Sequence, residues 1–137
     1  MRRRHSLLPG LPALPGLAAA AIAGLAAGCI TPSIPIPPPD PEDMTFVVTG
    51  EGADSSATFS YPANINYRRS IVFVYNHDRG LGIIEASRPD GSVGPTRPVS
   101  AALGDQIVVT FQVDDQAIST CIRLRNGPQS STDYCSL

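Results

Sequence analysis

From Met44 onward, apolar and polar residues alternate in short runs, and no 3.6-residue period persists long enough there to predict a helix. Met44, Phe46 and Val48 share one face of a first strand over 44–49; Ala57, Phe59 and Tyr61 share one face of a second over 57–61, which Pro62 ends. The run 70–75 is apolar at every position from Ile71 to Tyr75, which predicts a central strand covered on both faces. A five-residue hairpin loop, 76–80, leads to a returning strand over 81–86. After a loop with Asp90-Gly91 turn chemistry, Pro98 demotes 96–103 to an edge strand. Ile107, Val109, Phe111 and Val113 face inward on the clearest alternation in the chain, and Ile122 and Leu124 do so on a last strand over 119–125. Seven short strands joined by turns on this length predict two packed antiparallel sheets, an all-β immunoglobulin-like sandwich.

The first 43 residues read differently. Arg2, Arg3 and Arg4 precede an apolar stretch broken by Pro9, Pro12 and Pro15, whose uninterrupted part, 17–28, is twelve residues long. That suits the apolar core of an export signal and falls short of the roughly 20 residues a bilayer span needs. The stretch Leu25-Ala26-Ala27-Gly28-Cys29 resembles the lipobox of bacterial lipoproteins, with Ala26 where those signals more often carry leucine. The resemblance implies cleavage before Cys29, acylation of its thiol, and attachment to a membrane by acyl chains. Ile30 follows the cysteine, where lipoproteins kept at the inner membrane often have aspartate, so the same resemblance implies the outer membrane. Six prolines between Thr31 and Asp43 favour polyproline II, a stalk of about 40 Å. The expected organisation is therefore a signal peptide over 1–28, a lipidated cysteine and proline-rich stalk over 29–43, and a sandwich over 44–137.

Lipidation of Cys29 accounts for an otherwise odd count of three cysteines and leaves Cys121 and Cys135 to pair in an oxidising compartment. Their loop of about 15 residues corresponds to ~3 kcal/mol on the chain-entropy account. Because Cys121 alternates with Ile122, it faces away from the core, and a bridge would lay the tail across the outer face or edge of the last strand. Three of the ten arginines precede Cys29, which leaves seven against all twelve acids, a formal −5 without a single lysine. That balance argues against nucleic acid and anionic headgroups as partners.

Candidate chemistry is sparse. His77, the single histidine after Cys29, would have to serve any Ser-His-Asp site, yet it lies beside Asp78 in a loop that turn chemistry explains, and no Gly-x-Ser-x-Gly elbow is present. One histidine and two bridged cysteines do not make a zinc site. Asp78, Asp90, Asp105, Asp114 and Asp115 all fall in loops, without the spacing of a calcium loop. No cofactor is expected. Phe46, Phe59, Phe73 and Phe111 read as core, leaving Tyr61, Tyr67, Tyr75 and Tyr134 as candidates for an exposed aromatic; Tyr67 beside Arg68 and Arg69 is the candidate partner patch.

The stretch 71–124 is similar to bacterial immunoglobulin-like surface domains: Asp90-Gly91-Ser92 leads to a strand, 99–109 carries an A-x-x-G-D-x-I-x-V start, and Ser119 precedes the last strand. The resemblance implies an architecture and no functional residues. The chain reads as a non-enzymatic, lipid-anchored envelope module that binds a partner or serves a structural role. The alternatives are an accessory subunit of an envelope complex that pairs through a sheet edge, and a small hydrolase or inhibitor.

Overall fold

A computed structural model describes residues 34–135, which belong to one compact unit, Ile34–Leu137. The signal-like segment and Cys29 lie outside the described residues. Eight strands follow in chain order: β1 (Thr45–Thr49), β2 (Ser56–Ser60), β3 (Ile71–Asn76), β4 (Leu81–Ala86), β5 (Val99–Ser100), β6 (Gln106–Val113), β7 (Gln116–Arg123) and β8 (Gly127–Pro128). They form two antiparallel sheets, ordered β5-β2-β1-β8 and β4-β3-β6-β7. Two strands enter the first sheet, two the second, one returns to pair with β2, and β6 then pairs with β3. This Greek-key crossing is that of immunoglobulin-like sandwiches.

Period-2 alternation builds the core. Phe46, Ala57 and Phe59 from one sheet meet Val72, Val74, Ile107, Val109, Phe111 and Ile122 from the other, all at most 1% exposed. Each large side chain so buried contributes about 1.5–3 kcal/mol over leaving it in water. Tyr61 and Tyr67 close this core at one end: Tyr67 stacks on Phe111 with ring centroids 4.2 Å apart, and Tyr61 meets both rings edge-on at 5.2 and 5.6 Å. The weak strand over 96–103 shrinks to the two residues of β5, as Pro95 and Pro98 remove ladder donors.

The connections pack as tightly as the strands. Gly91 has φ +85°, and a Cβ there would run into the Asn64 carbonyl, so the Asp-Gly turn lies directly on the 3₁₀ turn Ile65–Tyr67. Beside it, the backbone N–H of Ser70 donates to the Ser87 Oγ at 2.8 Å, while the Ser70 hydroxyl is buried without a partner among the described residues. An unpaired buried hydroxyl costs free energy. Ser70→Ala is therefore expected to leave stability unchanged or raise it by about 1 kcal/mol in urea denaturation; a loss of that size would show that the hydroxyl is bonded.

The tail behaves as the alternation predicts. Cys121 lies on the outer face of β7 opposite Val108, and its disulfide to Cys135 draws the chain back along the β7 edge. The Arg123 N–H donates to the Asp133 carbonyl at 2.6 Å, and the Cys135 N–H to the Cys121 carbonyl at 3.1 Å. The proline-rich stretch departs from the expected stalk. Its described part, from Ile34, lies against the sandwich: Pro39 and Pro41 are buried, and the Pro39 carbonyl accepts the Thr120 hydroxyl at 2.7 Å.

Candidate binding surface

The two outer faces of the sandwich differ in chemistry. On the β1–β2 sheet the outward positions are Thr45, Val47, Thr49, Ser56, Thr58 and Ser60, a hydroxyl-rich face that water covers well. On the other sheet the outward positions of β3 are Ile71, Phe73 and Tyr75, and opposite them on β4 stand Ala86, Ile84 and Gly82. Ile71 is 45% exposed, Tyr75 41% and Ile84 58%. Phe73 and Ile84 are direct cross-strand partners, and Val108 flanks Tyr75 from β6. Gly82 leaves that end of the patch free of a side chain: a Cβ there would sit 2.9 Å from the Val74 carbonyl oxygen and 3.1 Å from the Tyr75 ring.

This overturns two expectations. β3 is central in its sheet, yet only Val72, Val74 and Asn76 are covered; its other face is open. Phe73 belongs to that outer face and is half-buried, not core. An all-apolar run is compatible with cover on both faces, and only the packing of a second layer decides whether the cover exists.

The free edge of β4 beside this patch is partly closed. Arg97 donates from Nη2 to the Ile84 carbonyl at 3.1 Å and from Nε to Glu85 at 2.9 Å. Hydrogen bonds from Arg97 hold the Glu85 carboxyl below its ordinary range.

The residues singled out from sequence come apart. Tyr67 is buried, so no Tyr-Arg-Arg surface exists; Arg68 and Arg69 remain exposed beside it, Arg69 in the left-handed region with φ 57°. The Tyr67 hydroxyl donates to the Pro37 carbonyl at 2.8 Å, and burial pushes its ionisation far up. Burial likewise pushes Tyr61 up to about 12, a hydrogen bond from the Asp40 N–H opposing and the charges of Asp43 and Asp40 adding. Of the four tyrosines, Tyr75 and Tyr134 are the exposed ones.

His77 sits exposed on the β3–β4 hairpin, where its backbone N–H donates to the Gln106 carbonyl at 2.9 Å. Asp78 caps the Gln106 N–H at 2.7 Å, and Asp90 takes the Ser92 N–H and hydroxyl at 2.9 and 2.7 Å. By strand register, Asp78 and Asp105 lie at one end of the sandwich, and Asp90, Asp114 and Asp115 at the other. No group of three possible ligands forms among the described residues.

Arg79 is the residue whose role pattern-reading misses, since in sequence it is one more polar loop position. Its guanidinium donates to Asp105 Oδ2 (3.1 Å), Ser100 Oγ (2.7 Å), Ser55 Oγ (3.1 Å) and the carbonyls of Ala53 (3.1 Å) and Gly52 (2.9 Å). Asp105 also accepts from Asn76 Nδ2 at 2.7 Å and the Ala102 N–H at 2.9 Å. Burial pushes the Asp105 carboxyl up, but these N–H donors and the Arg79 charge outweigh it and hold it below its usual value. The network joins the β1–β2 loop, the β3–β4 hairpin and the β5–β6 turn, and so plugs the end of the sandwich opposite the tyrosines. Next to it lies a recess of about 340 Å³ lined by Val48, Gly52, Ala102, Leu103 and Asn126. The side chains of Arg79, Asp105, Asn76, Ser55 and Ser100 bond one another and the nearby backbone, which fits a structural role.

Neither a family model, nor a curated protein, nor a solved structure matches this chain.

Proposed function

We propose that this chain is a lipid-anchored lipoprotein of the cell envelope, of the outer membrane by the residue after Cys29, whose sandwich is a non-enzymatic module that binds a protein partner. The single observation that carries the binding reading is the outward face of β3 and β4, where Ile71, Phe73, Tyr75 and Ile84 form one uncharged patch while the opposite face of the same sandwich is hydroxyl-rich. A contiguous apolar patch is what an interface core requires. The mix of aliphatic and aromatic side chains suits a protein surface better than nucleic acid, since Arg68, Arg69 and Arg88 at its Ile71 end stand in a chain with seven arginines against twelve acids after Cys29.

Edge pairing has weaker support. The Tyr134 tail occupies part of the β7 edge, Arg97 occupies the middle of β4, and the edge strands of the other sheet are two residues long. The anchor rests on the lipobox resemblance of 25–29 and on the Cys121–Cys135 bridge, which leaves Cys29 as the one remaining cysteine.

A photo-crosslinker placed at Tyr75 in the full-length chain, in its native membranes, should capture one defined protein, while the same group at Thr58 should not. Ile84→Glu should weaken that capture at least tenfold, because burying a charge at the interface costs more than the ~1.4 kcal/mol that a factor of ten represents. Its effect on folding should stay within about 0.5 kcal/mol, since the side chain is mostly exposed. Equal capture from both faces, or none from Tyr75, would overturn the assignment of this face.

A further inference from the structure

A proline-rich segment has few backbone donors, so it can be held chiefly through its carbonyls, by side chains that donate. The sandwich supplies such donors. The Tyr67 hydroxyl donates to Pro37 at 2.8 Å, the Thr120 hydroxyl to Pro39 at 2.7 Å, and Gln116 Nε2 to Ile34 at 3.4 Å. Where the segment has an N–H, an acceptor meets it: Gln116 Oε1 takes the Ile36 N–H at 3.0 Å and the Tyr61 hydroxyl takes the Asp40 N–H at 3.2 Å. Gln116 is the first residue of β7, so the chain is already fixed to the sandwich at the β6–β7 hairpin when it reaches Ile34. With the anchor at Cys29, only residues 30–33 separate the acylated residue from the docked chain. Five Cα steps at no more than about 3.6 Å each reach roughly 18 Å, less than half the stalk that composition predicts.

We propose that this docked segment is a strap that seats one end of the sandwich on the lipid surface. The end in question carries the β6–β7 hairpin, the 3₁₀ turn Ile65–Tyr67 and the loop after β4. Ile65 points out of it at 70% exposure and would rest among the headgroups. Acids outnumber arginines there: Arg68, Arg69 and Arg88 stand against Asp40, Glu42, Asp43, Asp90, Asp114 and Asp115, all exposed. The tether therefore sets the contact, because anionic lipid does not attract an end with this balance. The strands run away from this end, which stands the β3–β4 face upright beside the membrane and puts the Arg79 plug and Leu103 at the far end, about 25 Å higher over eight strand residues. This inference rests on the lipid-anchor reading of Cys29.

The full-length lipidated protein, reconstituted into phosphatidylethanolamine–phosphatidylglycerol vesicles carrying a nitroxide on the headgroup, provides the test. A fluorophore on Ile65→Cys should be quenched several-fold more than one on Leu103→Cys, and high salt should not lower the ratio. The double variant Tyr67→Phe/Gln116→Ala, which deletes strap donors and keeps the buried ring, should cut quenching at position 65 by about half or more with an unchanged circular dichroism spectrum. Equal quenching at the two positions, or quenching at 65 that survives the double variant, overturns the strap. Mass spectrometry of the mature N-terminus on the same preparation separates the two readings. An unmodified terminus overturns both, whereas an acylated protein with equal quenching overturns the seating alone.

Discussion

Arg79→Met is expected to cost about 3 kcal/mol of stability, the largest loss predicted for any single charged residue of the domain. The methionine keeps the stem of the side chain and removes all of its N–H donors, so Asp105, Ser55, Ser100 and the carbonyls of Gly52 and Ala53 lose a partner together. The Arg79 and Asp105 side chains are 21% and 19% exposed, which places the loss near the lower end of the ~3–5 kcal/mol typical of breaking a buried pair. For a domain of this size the melting temperature should fall by roughly 10–20 °C. Arg97→Met is the comparison: Arg97 is 71% exposed in its pair with Glu85, and its loss should cost under ~1 kcal/mol.

The same network predicts an acid limb. The folded state holds the Asp105 carboxyl below its ordinary value, so its contribution is present at neutral pH and is lost as pH falls through the lowered value. Without Arg79, burial is less opposed, the folded value rises, and acid unfolding should begin at a higher pH. Urea midpoints measured from pH 7 downward on both proteins check this; parallel curves would show that Arg79 does not set the Asp105 charge.

Removing the bridge by Cys121→Ala/Cys135→Ala should cost about 3 kcal/mol, as expected for a closed loop of this length with a sequence separation of 14. The loss has a second part that the loop entropy does not contain. Without the bridge, the strand-like contacts of Asp133, Tyr134 and Cys135 with β7 must hold the tail on their own, and an opened β7 edge is a template for pairing with another chain. The double variant should therefore melt roughly 10–20 °C lower and scatter light at concentrations where the parent chain stays clear. Adding a reductant should lower the parent to the same point and leave the variant unmoved. A variant as stable as the parent would show that the tail is held by its hydrogen bonds alone.

The seven expected strands lie within a few residues of β1 to β7, and the outward placement of Cys121 and its pairing with Cys135 follow from alternation and cysteine number. Period-2 patterning is a local property, legible wherever one face is apolar and the other polar. It fails where both faces are apolar, which is why the exposure of Ile71, Phe73 and Tyr75 could not be read from 70–75. β8 is two residues with a glycine and a proline, too short for any pattern to mark.

Three further features depend on residues far apart in the chain. Tyr67 reads as a surface residue beside two arginines, but the ring fits over Phe111 and its hydroxyl meets Pro37, neither of which its neighbours announce. Arg79 finds its acceptors on the 51–55 loop, on β5 and at Asp105, because the hairpin that carries it folds over the end of the sandwich. The prolines of 34–41 favour an extended conformation on their own, and that expectation is local; whether an extended chain stands free or lies on a surface is decided by partners such as the Thr120 hydroxyl and the Gln116 amide, some 80 residues away.

What the chain determined by itself is the class of structure, the faces of most strands, and the cysteine pair, since each follows from spacing along the backbone. Which apolar face is left open, which charged residue closes the sandwich, and where the proline segment comes to rest were decided by tertiary structure alone, because each depends on which surfaces the Greek-key crossing brings within contact distance.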